Sequence, residues 1–148
     1  MKFRICKLNE LTAMEMYEIA RSRFEVFAME QKIIQEPELD GIDNECYQVF
    51  YMDNNRVVAY CRIVPAGVAY NNISLGRVLV LNDYRRKGLA LIMIKEALKF
   101  IKEELQEDTV VLSGQVYAKG LYESVGFKII SDVYDEVGIP HVKMKIEL

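Results

Sequence analysis

The chain has no tryptophan at all, and only one histidine, three cysteines and three prolines in 148 residues. The cysteines, Cys6, Cys46 and Cys61, are odd in number and lack C-x-x-C spacing, so neither a disulfide framework nor a bound metal is expected. Free thiols in a chain of this size point to a reducing, cytoplasmic compartment. No apolar run is long enough to cross a bilayer and no signal-peptide pattern opens the sequence, which argues against a membrane partner. A net charge of −3 argues against a nucleic-acid backbone as partner. Disorder is excluded as well, because a 51% hydrophobic and 28% charged composition is that of a globular domain. The expectation is a single domain over residues 1–148 that buries roughly two thirds of its unfolded surface.

What is present is a clear alternation of strand and helix patterns. Phe3 to Lys7 alternates apolar and polar residues as a half-buried strand does. Thr12 and Glu15 have capping-box spacing, and a helix is expected from about Leu11 to about Met29. Its apolar stripe would comprise Met16, Ile19, Ala20, Phe24, Phe27 and Ala28, with Glu18, Arg21 and Glu25 turned away. Arg23 falls in the middle of that stripe and Glu30 near its edge. A cation centred on an apolar face needs an anionic partner or must snorkel to water. Gln31 to Asn44 has no periodicity and reads as an acidic loop with Glu36, Glu38, Asp40 and Asp43.

A hairpin follows, Cys46–Met52 and Arg56–Val64 around Asp53-Asn54-Asn55. Asn72 to Leu81 is another strand, with Gly76 marking a bulge or a close backbone approach. Arg85 to Leu105 is the clearest helix. Val110–Leu112, a short helix Ala118–Val125, Phe127–Ile130 and Val142–Glu147 complete the chain, with a turn at Gly138-Ile139-Pro140. This order gives an α+β fold, a mixed sheet covered by helices, in which the strand-helix-strand unit around the long helix pairs in parallel.

The strongest chemical signal runs from Val78 to Ala90. A buried strand is followed by a tight turn, three basic residues (Arg85, Arg86, Lys87), then Gly88, Leu89 and Ala90 at a helix start. Free amides, the helix dipole and full positive charges together make a diphosphate cradle. Arg85-x-x-Gly88-x-Ala90 resembles the acetyl-CoA signature of the GNAT acyltransferase superfamily. Ala118-x-x-Leu121-Tyr122-x-x-x-Gly126-Phe127 resembles that superfamily's second motif. Arg23-Phe24-Glu25-Val26-Phe27-Ala28-Met29-Glu30-Gln31, then Asp40-Gly41-Ile42-Asp43, resembles a pattern of its ElaA-like subfamily. Tyr134-Asp135-Glu136-Val137-Gly138-Ile139-Pro140-His141 resembles that subfamily's ending.

The resemblance implies a GNAT-like, mostly antiparallel sheet with a central splayed parallel pair and helices on both faces. It implies acetyl-CoA as acyl donor and a small-molecule or peptide amine as acceptor. Backbone groups of Val78 and Val80 would bond the pantetheine arm, and amides from Arg86 to Ala90 would hold the pyrophosphate. Tyr122 would protonate the leaving thiolate. Gln115 stands where many members carry a cofactor-binding asparagine. His141, whose residue type titrates near neutrality, is a candidate general base, and Glu30, Asp40 and Asp43 are competing bases or amine anchors that the sequence does not rank. Arg23 would pair with a loop acid and hold the loop over the acceptor. Two other readings stay open: a noncatalytic acyl-CoA-binding module, and an enzyme like the acyl-homoserine-lactone synthases. Homodimerisation is also open.

Overall fold

The computed structural model describes residues 2–148. Strand β1 (Arg4–Lys7) leads through a short turn into helix α1 (Ala13–Arg23), which opens on the expected capping box. Thr12 Oγ1 accepts from the Glu15 amide at 3.1 Å, and the Thr12 amide donates to Glu15 Oε1 at 2.8 Å. The helix then widens to π geometry over Phe24–Glu30. Strands β2 (Tyr47–Asp53) and β3 (Arg56–Val64) form the hairpin, turning through Asn54 and Asn55, both at positive φ. Next come β4 (Ile73–Val80), α2 (Leu89–Glu103), β5 (Thr109–Gln115), α3 (Lys119–Ser124), β6 (Lys128–Ile129), β7 (Tyr134–Glu136) and β8 (Ile139–Glu147).

All eight strands join one sheet in the order β1-β2-β3-β4-β5-β8-β6, with β7 paired to β8. The sole parallel pair among the described residues is β4 with β5, registered at Ile73↔Val110 and Ser74↔Val111. Beyond Ser74 the two strands part. All other pairings are antiparallel. The expected α+β architecture is therefore observed.

Two cores lie on opposite sheet faces. Met93, Ile94, Ala97 and Ile101 of α2 pack with Val49, Ala59, Cys61 and Leu75. Ile19, Val26 and Phe27 pack on the other face with Phe50, Tyr60 and Leu79. Central strand β3 is covered on both sides, which explains its nearly unbroken apolar run. No helix among the described residues is long and apolar enough to cross a membrane.

Three local expectations are corrected. The buried face of the first helix is Ile19, Ser22, Arg23, Val26 and Phe27, with Glu18 also buried, whereas Phe24 is 55% exposed. Ser22 is small and donates its hydroxyl to the Val57 carbonyl at 2.5 Å, so the helix sits close to β3 along a polar residue that apolar counting passes over. Helix α2 starts at Leu89 rather than Arg85, because Gly88 caps it in the left-handed region at φ 78°. The turn near the C-terminus is Val137-Gly138, and Pro140 lies inside β8 opposite Asp135. Strand β7, three residues long, offers no periodicity to read.

Candidate active site

In β4 the residues Arg77 and Val78 lie opposite Cys61 alone, between the pairs Tyr60↔Leu79 and Arg62↔Gly76. This is a β-bulge, as the glycine in that strand suggested, although the positive φ falls on Arg77 at 53°. The bulge sits where β4 and β5 have already separated. On the side away from β3, backbone groups there have no neighbouring strand.

A cleft of about 330 Å³ runs along this gap, lined by Val78, Val80, Arg86, Gly88, Ala90 and Tyr122, with Arg85 and Leu89 also on its wall. No side chain caps α2, and its first helical bond is donated by the Ile92 amide to the Gly88 carbonyl. The amides of Leu89, Ala90 and Leu91 therefore have no intrahelical acceptor. A Cβ at Gly88 would meet nothing within 4 Å, so the space over this helix start is open. Open amides, a dipole and the cleft-lining Arg86 suit a diphosphate. The residues present fit a CoA chain lying from the α2 terminus along β4.

Arg85 is held differently from the simple cradle. Its Nε donates to the Val80 carbonyl at 2.8 Å, and its Nη atoms pair with both Glu30 oxygens at 2.6 and 2.9 Å. Arg85 and Glu30 thus tie the end of the first helix to the turn before α2. Lys87 lies 5.4 Å from the centre of the Tyr84 ring. Gln115 faces the other cavity, where its Nε2 donates to Gln31 Oε1 at 3.0 Å.

Tyr122 lines both cavities. Its ring packs directly on β5: a Cβ at Gly114 would stand 3.2 Å from Tyr122 Cε2, a tight contact that would push the ring aside. Burial pushes its phenol well above the ordinary value of 10, which keeps it protonated.

The second cavity, about 260 Å³, opens on the far side of Tyr122. Its wall includes Gln31, Glu36, Glu38, Arg62, Arg77, Ser113, Glu136 and His141. His141 is buried, its Nδ1 2.7 Å from the Ile139 carbonyl and its Nε2 3.4 Å from Glu136 Oε2. A carbonyl only accepts, so Nδ1 carries a proton. Glu136 in turn accepts from Ser113 Oγ at 3.3 Å, and Ser113 bonds the Tyr134 hydroxyl.

Asp40 and Asp43 do not line either cavity. Asp40 takes both Nη atoms of Arg62 at 2.8 and 2.6 Å, while Asp43 Oδ1 accepts from Arg23 at 2.7 Å and Arg62 at 3.0 Å. Glu38 Oε2 accepts from Arg23 Nε at 2.5 Å and Arg77 Nε at 3.0 Å. Three arginines thus balance three acids. The Arg62 hydrogen bond holds the Asp40 carboxyl down at about 2. Arg23 is fully buried and pairs with loop acids as expected, but the carboxylates that reach the cavity uncompensated by arginine are Glu36 and Glu136. From sequence Glu36 was one of the acidic loop's carboxylates, ranked behind Asp40 and Asp43. Glu136 stood in a quoted motif without a role; for Arg62 the signal was a cation inside the run Val57–Val64, which demands a partner. Among the described residues no group of three His, Cys, Asp or Glu side chains could hold a metal.

The sequence matches a family model described as Acetyltransferase (GNAT) domain over residues 13–148. A UPF0039 protein of Schizosaccharomyces pombe is 42% identical over 142 residues, covering 95% of this chain and 93% of that one. The crystal structure of an acyl-CoA N-acyltransferase from Pseudomonas aeruginosa superposes with a TM-score of 0.89 at 27% identity over 98% of both chains. That of Escherichia coli ElaA superposes with a TM-score of 0.90 at 26% identity, over 99% of this chain and 100% of ElaA. A splayed parallel pair, a glycine-opened helix start and these matches agree: this chain belongs to the GNAT acetyltransferase family, with ElaA among its homologues.

Proposed function

We propose that this chain acts as one cytoplasmic domain, transferring the acetyl group of acetyl-CoA directly to a primary amine of a small molecule or peptide. The observation that carries the reading is the meeting of two cavities at Tyr122, one suited to CoA and the other lined by carboxylates and a histidine. Amides at the start of α2, with Arg86 beside them, hold the diphosphate. Beyond Ser74 the open edge of β4, Val78 and the Val80 amide included, bonds the pantetheine arm as an added strand would. A backbone amide near Val78, turned by the bulge, polarises the thioester carbonyl.

Tyr122 donates a hydrogen bond to the sulfur as negative charge develops there. Its raised pKa makes complete proton transfer to a thiolate, whose acid has a pKa of about 8.5, an uphill step. Stabilisation by a donated bond is therefore its main contribution. His141 takes the proton from the attacking amine, directly or through water, at Nε2. Glu36 and Glu136 favour a cationic amine over an anionic acceptor, and the ion-paired set of Arg23, Asp40 and Asp43 fixes the loop that carries Glu36.

A panel of primary amines assayed for thiol release from acetyl-CoA tests this. Amine-dependent release is expected, absent for acceptors bearing only carboxylates and lost in Gly88→Glu, whose side chain puts negative charge over the α2 terminus. Release that no amine stimulates would refute it.

A further inference from the structure

The hairpin β7–β8 brings His141 and Glu136 together in the acceptor cavity, and Glu136 has so far been given only a part in attracting the amine. We propose that Glu136 is a positioning residue that sets the basicity of His141 by serving as its counter-charge. This rests on the reading of His141 as the proton acceptor. The two ring nitrogens face two oxygens: the Ile139 carbonyl at Nδ1 and Glu136 Oε2 at Nε2. Nδ1 keeps the Ile139 carbonyl in either state, and only the imidazolium adds a charge that the Glu136 carboxylate beside Nε2 can balance. The site is thus shaped for the species that exists after the proton has left the amine. A neutral ring would keep the Ile139 bond, because the carbonyl fixes the Nδ1 proton, and would turn its Nε2 lone pair toward Glu136 and the cavity.

The fold explains how this pairing is held. The two-residue turn Val137-Gly138 puts Glu136 opposite Ile139 and Tyr134 opposite His141. Tyr134 stacks on the imidazole, with ring centres 6.2 Å apart, and bonds Ser113, which also donates to Glu136. Glu136 is thereby tied to β5 as well as to its own hairpin. Other charged or titratable groups surround the cavity. Tyr70 carries the Lys143 ammonium 4.0 Å from its ring centre, and Glu36, Glu38, Arg62 and Arg77 also line the cavity. Among the described residues, Glu136 is the one carboxylate within 4.0 Å of an imidazole nitrogen.

The sign of the effect is fixed. A carboxylate beside Nε2 favours the protonated ring, so its removal lets the ring lose its proton at lower pH. The weaker base should then remove the amine proton more slowly. A purely structural role for Glu136 would slow the reaction without moving the titration.

The chain has one histidine, so in tag-free protein the imidazole Cε1–H gives one NMR resonance that needs no assignment. Wild type, Glu136→Gln and Glu136→Asp are titrated, and kcat is measured for each with the best amine. The midpoint should fall in Glu136→Gln, and kcat on the high-pH plateau by roughly 5–10-fold, with Glu136→Asp recovering most of both. An unshifted midpoint in Glu136→Gln overturns the proposal, whatever the activity. A shifted midpoint in a chain that acetylates no amine would sustain the Glu136–His141 coupling while refuting the reaction proposed above.

Discussion

At the scale of single residues, Tyr122 carries the heaviest expectation. Its hydroxyl is the polar end of a ring seated on Gly114, at the junction of the two cavities. Tyr122→Phe keeps that packing and removes only the donated bond, so kcat should fall by about 10²-fold while acetyl-CoA affinity barely changes. Steady-state kinetics with direct measurement of acetyl-CoA binding separates the two quantities; a variant with wild-type kcat would remove Tyr122 from the chemistry. Residues of this kind were legible because they stand in short patterns: Tyr122 between Leu121 and Gly126-Phe127, and Gly88 after three basic residues. Glu136 stood in such a pattern too, but without a role, which it gains only when the turn at Val137-Gly138 brings it beside His141.

Among elements, the loop Gln31–Asn44 shows how sequence reading and folding physics diverge. Its acids read as a cation-attracting surface, but most are turned inward by arginines from three different elements: Arg23 from α1, Arg62 from β3 and Arg77 from β4. Those partners lie 15 to 39 residues away in sequence, beyond any local pattern. A clamp of this kind has a pH signature. Asp40 ionises at about 2 in the folded chain, below its ordinary 3.8, because Arg62 bonds the charged form. The unfolded chain therefore binds the proton first as pH falls. The stability this pair contributes is complete above about pH 4 and is lost as the pH drops toward 2. Urea unfolding between pH 6 and 2.5 should show wild type losing more stability than Asp40→Asn, the curves converging at the acid end. Parallel curves would show that the Asp40–Arg62 pair contributes nothing.

The first helix teaches a related lesson. Its start and capping box were legible from Thr12 and Glu15, whereas its buried face was legible only in part: Ile19, Arg23 and Phe27 were placed on it, and Ser22 and Val26 were missed. Ser22 and Arg23, both polar, are fully buried because β3 and the acidic loop satisfy them. Hydrophobic counting favours Phe24 instead. Helix α2, with apolar residues that meet a purely apolar sheet face, had no such ambiguity on its buried side.

For the molecule as a whole, the β2–β3–β4 meander and the parallel β4–β5 pair were legible from element order and connection length, whereas the insertion of β8 between β5 and β6 was not. The bulge at Arg77 and Val78 was signalled by Gly76, although its consequence, an unpaired β4 edge facing the α2 terminus, appears only when the sheet is assembled. All three cysteines are buried, and burial pushes the thiols of Cys46 up to about 11 and Cys61 up to about 12. Neither is poised as a nucleophile. This supports the proposed reading, in which acetyl passes straight from thioester to amine across the Tyr122 junction with both substrates present together.

Initial velocities measured over a grid of acetyl-CoA and amine concentrations, alongside the intact mass of enzyme held with acetyl-CoA alone, test that claim most directly. The account predicts reciprocal plots that intersect and a protein mass that gains no acetyl group. Parallel plots together with an acetylated enzyme would contradict it.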